Sequence, residues 1–133
     1  MAANMLTAYY SKGCDSKELF SNLKIAKDTD FEKYLNKYDT IFLNMQDFLS
    51  RSNNIQELME RVRKIVLREL RSAYPERGFF LMKMTLIESM QDVYAYSRCP
   101  FVVIIDEWDC IFFVSISRIK KHRRNILTFY GIY

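Results

Sequence analysis

The sequence predicts an α/β fold in which parallel strands form a sheet that is covered by helices. Two short apolar runs predict the strands, one at residues 40–45 and one at residues 101–105. The amphipathic stretch Ile55–Ala73 lies between them and predicts a long helix. The order of a strand, then helices, then a second strand is that of a right-handed crossover between parallel strands. We therefore expect a three-layer α/β/α core.

The run at residues 101–105 is Phe-Val-Val-Ile-Ile, and it follows Pro100 without a polar break. A continuous run of this kind predicts a strand that is buried on both faces, as in parallel sheets. Asp106 and Glu107 follow the run at once, and α/β proteins place their ligands at the carboxyl ends of such strands. A plain structural reading stays open, because buried strands often end in an acid where the chain returns to solvent.

The spacing of apolar residues predicts shorter helices at residues 1–11, 17–23, 31–38 and 86–96. Gly13 suits the left-handed position that ends the first of them. Thr85 and Glu88 stand in the register of a capping box, which predicts the start of the last one.

Composition limits the class of protein. The chain has 133 residues, half of them hydrophobic, which fits one domain with a modest core. Three cysteines and one histidine show no metal-binding spacing and indicate reduced thiols in a cytoplasmic protein. Residues 1–10 lack the features of a secretory signal, and acids interrupt the apolar stretch at residues 101–116, so we expect no membrane span.

The positive charge of the chain is concentrated at one end. Residues 114–133 hold five Lys or Arg and no acid, and the rest of the chain holds 15 basic and 16 acidic residues. This shift predicts a boundary near Phe113, with a main unit at residues 1–113 and a basic tail at residues 114–133.

Residues 1–6, 40–48 and 100–110 together resemble the bacterial AAA-ATPase-like family, whose members often carry a nuclease-like region further on. The similarity covers residues 1–113, and its most specific part is Phe-Val-Val-Ile-Ile-Asp-Glu-Trp-Asp. The resemblance implies a P-loop NTPase core in which this segment is the Walker B strand. Asp106 would then be the metal residue that holds Mg²⁺, and Glu107 the catalytic residue that polarises the water attacking ATP.

The chain departs from the family pattern in one respect that matters for ATP. In the family, the helix that corresponds to residues 1–10 follows a phosphate-binding loop. None of the three glycines here (Gly13, Gly78 and Gly131) lies in a G-x-x-x-x-G-K-[ST] context. We therefore expect a partial domain, a fragment that begins just after the loop. Alone it should bind neither ATP nor Mg²⁺ well and should be inactive.

The basic tail leaves three interpretations open. It is a solvated chain end, an out-of-frame extension in place of the family's charged helix, or a nucleic-acid contact through residues 118–124. The last reading rests on four cations beside aromatic residues, namely Lys120, Lys121, Arg123 and Arg124 near Phe129 and Tyr130. It defines the alternative function, a non-enzymatic interaction domain whose partner is nucleic acid.

Overall fold

The computed structural model describes residues 2–112, so the predictions for residues 113–133 lie outside the described part. In chain order the elements are α1 (Ala2–Tyr10), α2 (Lys17–Phe20), α3 (Phe31–Tyr34), β1 (Asp39–Asn44), α4 (Met45–Ser50), α5 (Ile55–Ala73), α6 (Gly78–Leu81), α7 (Leu86–Ser97) and β2 (Phe101–Asp106). Short 3₁₀ helices lie at Lys24–Lys27 and Pro75–Arg77.

The two strands pair in parallel, as the sequence predicted. Asp39 lies opposite Phe101 at one end of the pair, and Asn44 lies opposite Asp106 at the other. Within residues 2–112 these are the strands of the only sheet. The fold is therefore mixed α/β, with most of its mass in helices.

The helices lie on both sides of this strand pair. Ile41, Leu43 and Phe101 share one face of the sheet and pack with α5 and α7 in the main core. Helix α1 contacts both strands but contributes no residue to that core, so we place it over the opposite face.

Helix α5 forms the main apolar surface behind the sheet. It begins at Asn54, whose side chain accepts a hydrogen bond from the Glu57 N–H at 2.8 Å. Its buried residues recur at helical spacing and are Leu58, Val62, Val66, Leu67 and Leu70. The predicted capping box of α7 is confirmed, because Thr85 and Glu88 satisfy each other's backbone N–H groups.

The short elements differ from the sequence predictions in their bounds. The helix predicted at residues 31–38 ends at Tyr34, because Asn36 takes a left-handed conformation with φ 54°. The strand predicted at residues 40–45 runs from Asp39 to Asn44, since Asn44 caps a helix that starts at Met45.

The prediction that β2 is buried on both faces was wrong for the described part of the chain. Val103 is 47% exposed and Ile105 is 50% exposed. Within that part β2 has a strand neighbour on one side alone, and α5 and α7 cover β1 more completely than β2. The apolar run therefore reflects strand propensity more than complete burial.

Candidate functional site

The two predicted site residues lie where β2 ends, at the carboxyl edge of the sheet. Asp106 is the last residue of the strand and is partly exposed, and Glu107 follows it in an exposed turn. The Glu107 N–H donates a hydrogen bond to Asp106 Oδ1 at 3.0 Å. The structure therefore places both carboxylates beside solvent at the edge where parallel sheets bind ligands.

Glu107 has an unusual backbone conformation. Its φ is +54°, in the left-handed region that residues with a Cβ rarely adopt. That conformation costs roughly 1–2 kcal/mol for a residue other than glycine. Strain of this kind is concentrated at functional sites, where it holds a side chain in a fixed direction.

The residues after Glu107 turn the chain away from the sheet. The Cys110 N–H donates to the Glu107 carbonyl at 3.3 Å, and the Trp108 and Phe112 rings meet edge to face with centroids 5.4 Å apart. Cys110 is buried, and burial, followed by the charges of Asp109 and Glu107, raises the pKa of its thiol. A raised pKa disfavours the thiolate, so Cys110 is a packing residue and a poor nucleophile.

Asn44 is the neighbour of Asp106 on β1, and its side chain is already engaged. Asn44 Oδ1 accepts hydrogen bonds from the backbone N–H groups of Gln46 at 3.0 Å and Asp47 at 3.3 Å. It is the N-cap of α4, a role that we did not assign from the sequence. The signal was present, because an Asn stood directly before a segment that could be helical.

Helix α1 ends at the amino edge of the sheet. Its last residue, Tyr10, precedes Ser11, which forms a parallel bridge to Tyr38, the residue before β1. The helix also contacts both strands.

The opposite, amino edge holds a cluster that sequence reasoning missed. Lys12 Nζ lies 2.8 Å from Asp39 Oδ1 and also donates to the Tyr74 hydroxyl, which in turn donates to Asp39 Oδ2 at 2.5 Å. Burial acts to lower the pKa of Lys12, but the hydrogen bonds to Asp39 and Tyr74 and the Asp39 charge raise it above its ordinary value. Every member has a partner, so the cluster joins the segment after α1, the start of β1 and the C-cap of α5.

We tested whether the carboxyl edge fits a magnesium ion. Within residues 2–112 no group of three or more His, Cys, Asp or Glu side chains is arranged to hold a metal by itself. Asp106 still offers a suitable ligand, because its Oδ2 has no hydrogen-bond partner in that range and carboxylate oxygens are preferred by Mg²⁺. Asp106 would supply one ligand, and an ion held there would take its remaining ligands from water and from a bound phosphate.

Comparison with known proteins identifies the lineage. The family model described as "Predicted AAA-ATPase" matches residues 1–133, the whole chain. The chain belongs to the AAA-ATPase-like family. The matched range includes the basic tail, and the predicted boundary near Phe113 stays a prediction. No curated protein and no solved structure matches the chain.

No helix among residues 2–112 combines the length and hydropathy that crossing a membrane requires.

Proposed function

We propose that this chain supplies the Walker B strand of a P-loop ATPase domain, with β2 as that strand. The observation that carries the proposal is the pair Asp106 and Glu107 at the carboxyl end of a strand in a parallel sheet. Membership of the AAA-ATPase-like family supports it. The left-handed backbone of Glu107 supports it further, since such conformations are more common at functional sites.

The two acids would have different tasks in this site. Asp106, fixed by the Glu107 N–H through one carboxylate oxygen, would hold Mg²⁺ with the other. Glu107, displaced from the strand by its left-handed backbone, would orient and polarise a water molecule. Bound Mg·ATP supplies the phosphoryl group and the charge neutralisation that such a reaction requires.

The chain's own residues account for only part of an ATP site. The sequence has no G-x-x-x-x-G-K-[ST] loop, whose backbone N–H groups and lysine bind most of the phosphate charge. We therefore propose that this chain alone binds Mg·ATP weakly and is inactive, and that hydrolysis requires a phosphate loop beside α1.

Thermal denaturation of the full chain tests the proposal that the chain alone binds Mg·ATP weakly. A ligand present at ~100 times its Kd would add about 2.7 kcal/mol of stability. We expect no increase in melting temperature with millimolar Mg·ATP. An increase that Asp106→Ala removes would show that the chain binds nucleotide without a loop.

The proposed requirement for a phosphate loop is tested by extending the chain before Met1 with a strand and a G-x-x-x-x-G-K-[ST] loop. We expect Mg-dependent ATP hydrolysis, which Glu107→Gln reduces by roughly 100-fold or more while ATP remains bound. Asp106→Asn should instead raise the Mg²⁺ concentration that hydrolysis requires and weaken the binding of Mg·ATP. The matched control replaces the loop lysine with alanine. Hydrolysis that is unchanged in both acid variants would refute the Walker B assignment.

The alternative of a nucleic-acid contact rests on residues 118–124, outside the described residues, and stays a prediction.

A further inference from the structure

The outer edge of β1 carries backbone groups that β2 does not use. The Asp39 N–H donates to the Pro100 carbonyl at 3.1 Å, so Asp39, Ile41 and Leu43 face β2 in the parallel ladder. Alternation along the strand then turns the N–H and C=O groups of Thr40 and Phe42 outward.

At its start this outer edge is already paired by another part of the chain. The Tyr38 N–H donates to the Tyr10 carbonyl at 2.9 Å, and the Lys12 N–H donates to the Tyr38 carbonyl at 2.9 Å. Beyond Tyr38, no backbone hydrogen bond joins Thr40 or Phe42 to another segment within residues 2–112. An added strand could therefore continue the pairing that residues 10–12 begin.

A groove follows this edge between β1 and α5. Its first part, about 350 Å³, is lined by all five consecutive residues 39–43. Phe101 of β2 also lines this part, so it covers the face of β1 beneath α5 and reaches the outer edge of the strand at Thr40 and Phe42. Its second part, about 390 Å³, shares Phe42 and Ile65 with the first and continues toward the carboxyl end of β1.

The carboxyl end of the groove is lined mainly by cations. Arg51, Arg61 and Lys64 line the carboxyl end, where one acid, Asp47, also lines it. Arg51 forms no ion pair in the described part of the chain, while Arg61 and Lys64 form exposed pairs with acids of their own helix. Such exposed pairs are weak and exchange readily for a new acidic partner.

We propose that the outer edge of β1 binds an extended peptide that adds as a strand and carries acidic residues at the end beside Arg51 and Arg61. Main-chain hydrogen bonds to Thr40 and Phe42 give affinity, and an apolar side chain fits between Phe42, which is 37% exposed, and Ile65. The acids pair with the cationic rim and fix the direction of the peptide. This site is on the opposite edge of β1 from β2 and does not depend on the ATPase assignment.

The test uses fluorescent ten-residue peptides of alternating Val and Thr with two Asp at either the amino or the carboxyl end. Matched peptides carry two Lys instead, and a further pair carries N-methyl groups on alternate residues. Fluorescence anisotropy with the full chain should show one acidic peptide binding at least tenfold more tightly than its Lys counterpart. N-methylation should abolish binding, because it removes the donors that pair with the strand edge.

Protein variants locate the contact. Arg51→Glu with Arg61→Glu should weaken the acidic peptide at least tenfold, while Lys24→Glu with Lys27→Glu, which changes net charge equally elsewhere, should not. Thr40→Pro removes an outward N–H and should reduce binding, whereas Thr40→Val should retain it. Urea unfolding checks that each variant folds, and the peptide and arginine comparisons remain decisive if Thr40→Pro does not.

Four results would overturn the proposal. Equal affinity for Asp and Lys peptides would remove the role of the cationic rim, and binding unaffected by the arginine variants would place it elsewhere. No binding of any peptide at millimolar concentration would show that the edge does not accept a strand. Sedimentation that shows self-association lost in Thr40→Pro would assign the edge to a second copy of the chain instead.

Discussion

The acidic side chains at the two edges of the sheet differ in hydrogen bonding and in exposure to solvent. At the amino edge, the Asp39 side chain is only 11% exposed, and both of its oxygens are bonded, one to Lys12 and one to Tyr74. At the carboxyl edge, Asp106 accepts one backbone hydrogen bond, and Glu107 is exposed in a strained turn. The Asp39 carboxylate is bonded within the fold, whereas the carboxylates of Asp106 and Glu107 remain available to a ligand or to solvent.

This difference separates a structural polar cluster from a candidate site. Buried polar groups must find partners inside the protein, since leaving one without a partner costs roughly 1–3 kcal/mol. Groups at a ligand edge reach solvent instead and keep unused bonding capacity. The comparison predicts that substitutions at the amino edge affect stability, whereas those at the carboxyl edge affect ligand chemistry.

The largest expected effect comes from matched substitutions of the two aspartates. Asp39→Ala leaves Lys12 and Tyr74 without their acceptor and should lower the free energy of unfolding by about 2–3 kcal/mol. Asp106→Ala should change it by no more than about 0.5 kcal/mol. Urea unfolding of the two variants measures the difference, and equal losses would remove the distinction between the edges.

The next comparison uses two asparagines. The Asn36 side-chain amide donates to the carbonyls of Ala8 at 3.0 Å, in the last turn of α1, and Ser11 at 2.9 Å, just after it. Asn36→Gly keeps the left-handed backbone but loses these bonds, so it should cost about 2 kcal/mol. Asn44→Gly, which weakens the N-cap at the carboxyl edge, should cost only a few tenths of a kcal/mol. Chemical denaturation of the two variants measures both losses. A larger loss for Asn44→Gly than for Asn36→Gly would show that the Asn36 contacts are incidental.

A smaller effect should reveal the strain at Glu107. Glu107→Gly and Glu107→Ala both remove the carboxylate, but only glycine adopts a positive φ without a steric cost. The glycine variant should be the more stable of the two by up to about 1 kcal/mol. Thermal denaturation compares them directly. An alanine variant that is the more stable one would show that this backbone is not strained.

The smallest effect concerns pH at the amino edge. The pKa of Lys12 is raised in the folded protein, so its contribution to stability is fully present below the ordinary lysine pKa of 10.5. That contribution is lost as the pH rises above this value, since the folded state then holds a proton that the unfolded state has released. Wild type should lose more stability between pH 8 and pH 11 than Lys12→Met, as measured by urea midpoints. Parallel curves for the two proteins would contradict this.

Sequence reasoning succeeded where the signal was local. The apolar stripe of α5 repeats from one turn to the next, and the reciprocal cap of Thr85 and Glu88 lies within one turn. Both helices formed with close to the predicted bounds. The strand at residues 101–105 and the position of Asp106 at its end followed from an apolar run and a change to acids. These features depend on neighbours in the chain, which a sequence displays directly.

The features that the sequence did not reveal join residues far apart in the chain. Lys12, Asp39 and Tyr74 meet because the end of α1, the start of β1 and the end of α5 reach the same edge. Neither the left-handed turn at Asn36 nor the one at Glu107 was evident. Asn36 tolerates this conformation but lay inside a segment predicted as a helix, and Glu107 does not favour it.

By itself, the sequence determined the two long helices α5 and α7, the two strands and their parallel direction, and the acids at the end of β2. These follow from periodicity, capping and the need for a crossover between strands. Only the tertiary structure decided which polar groups are satisfied and which are free. That depends on how far each edge is covered, and coverage is a property of packed elements that no single segment encodes.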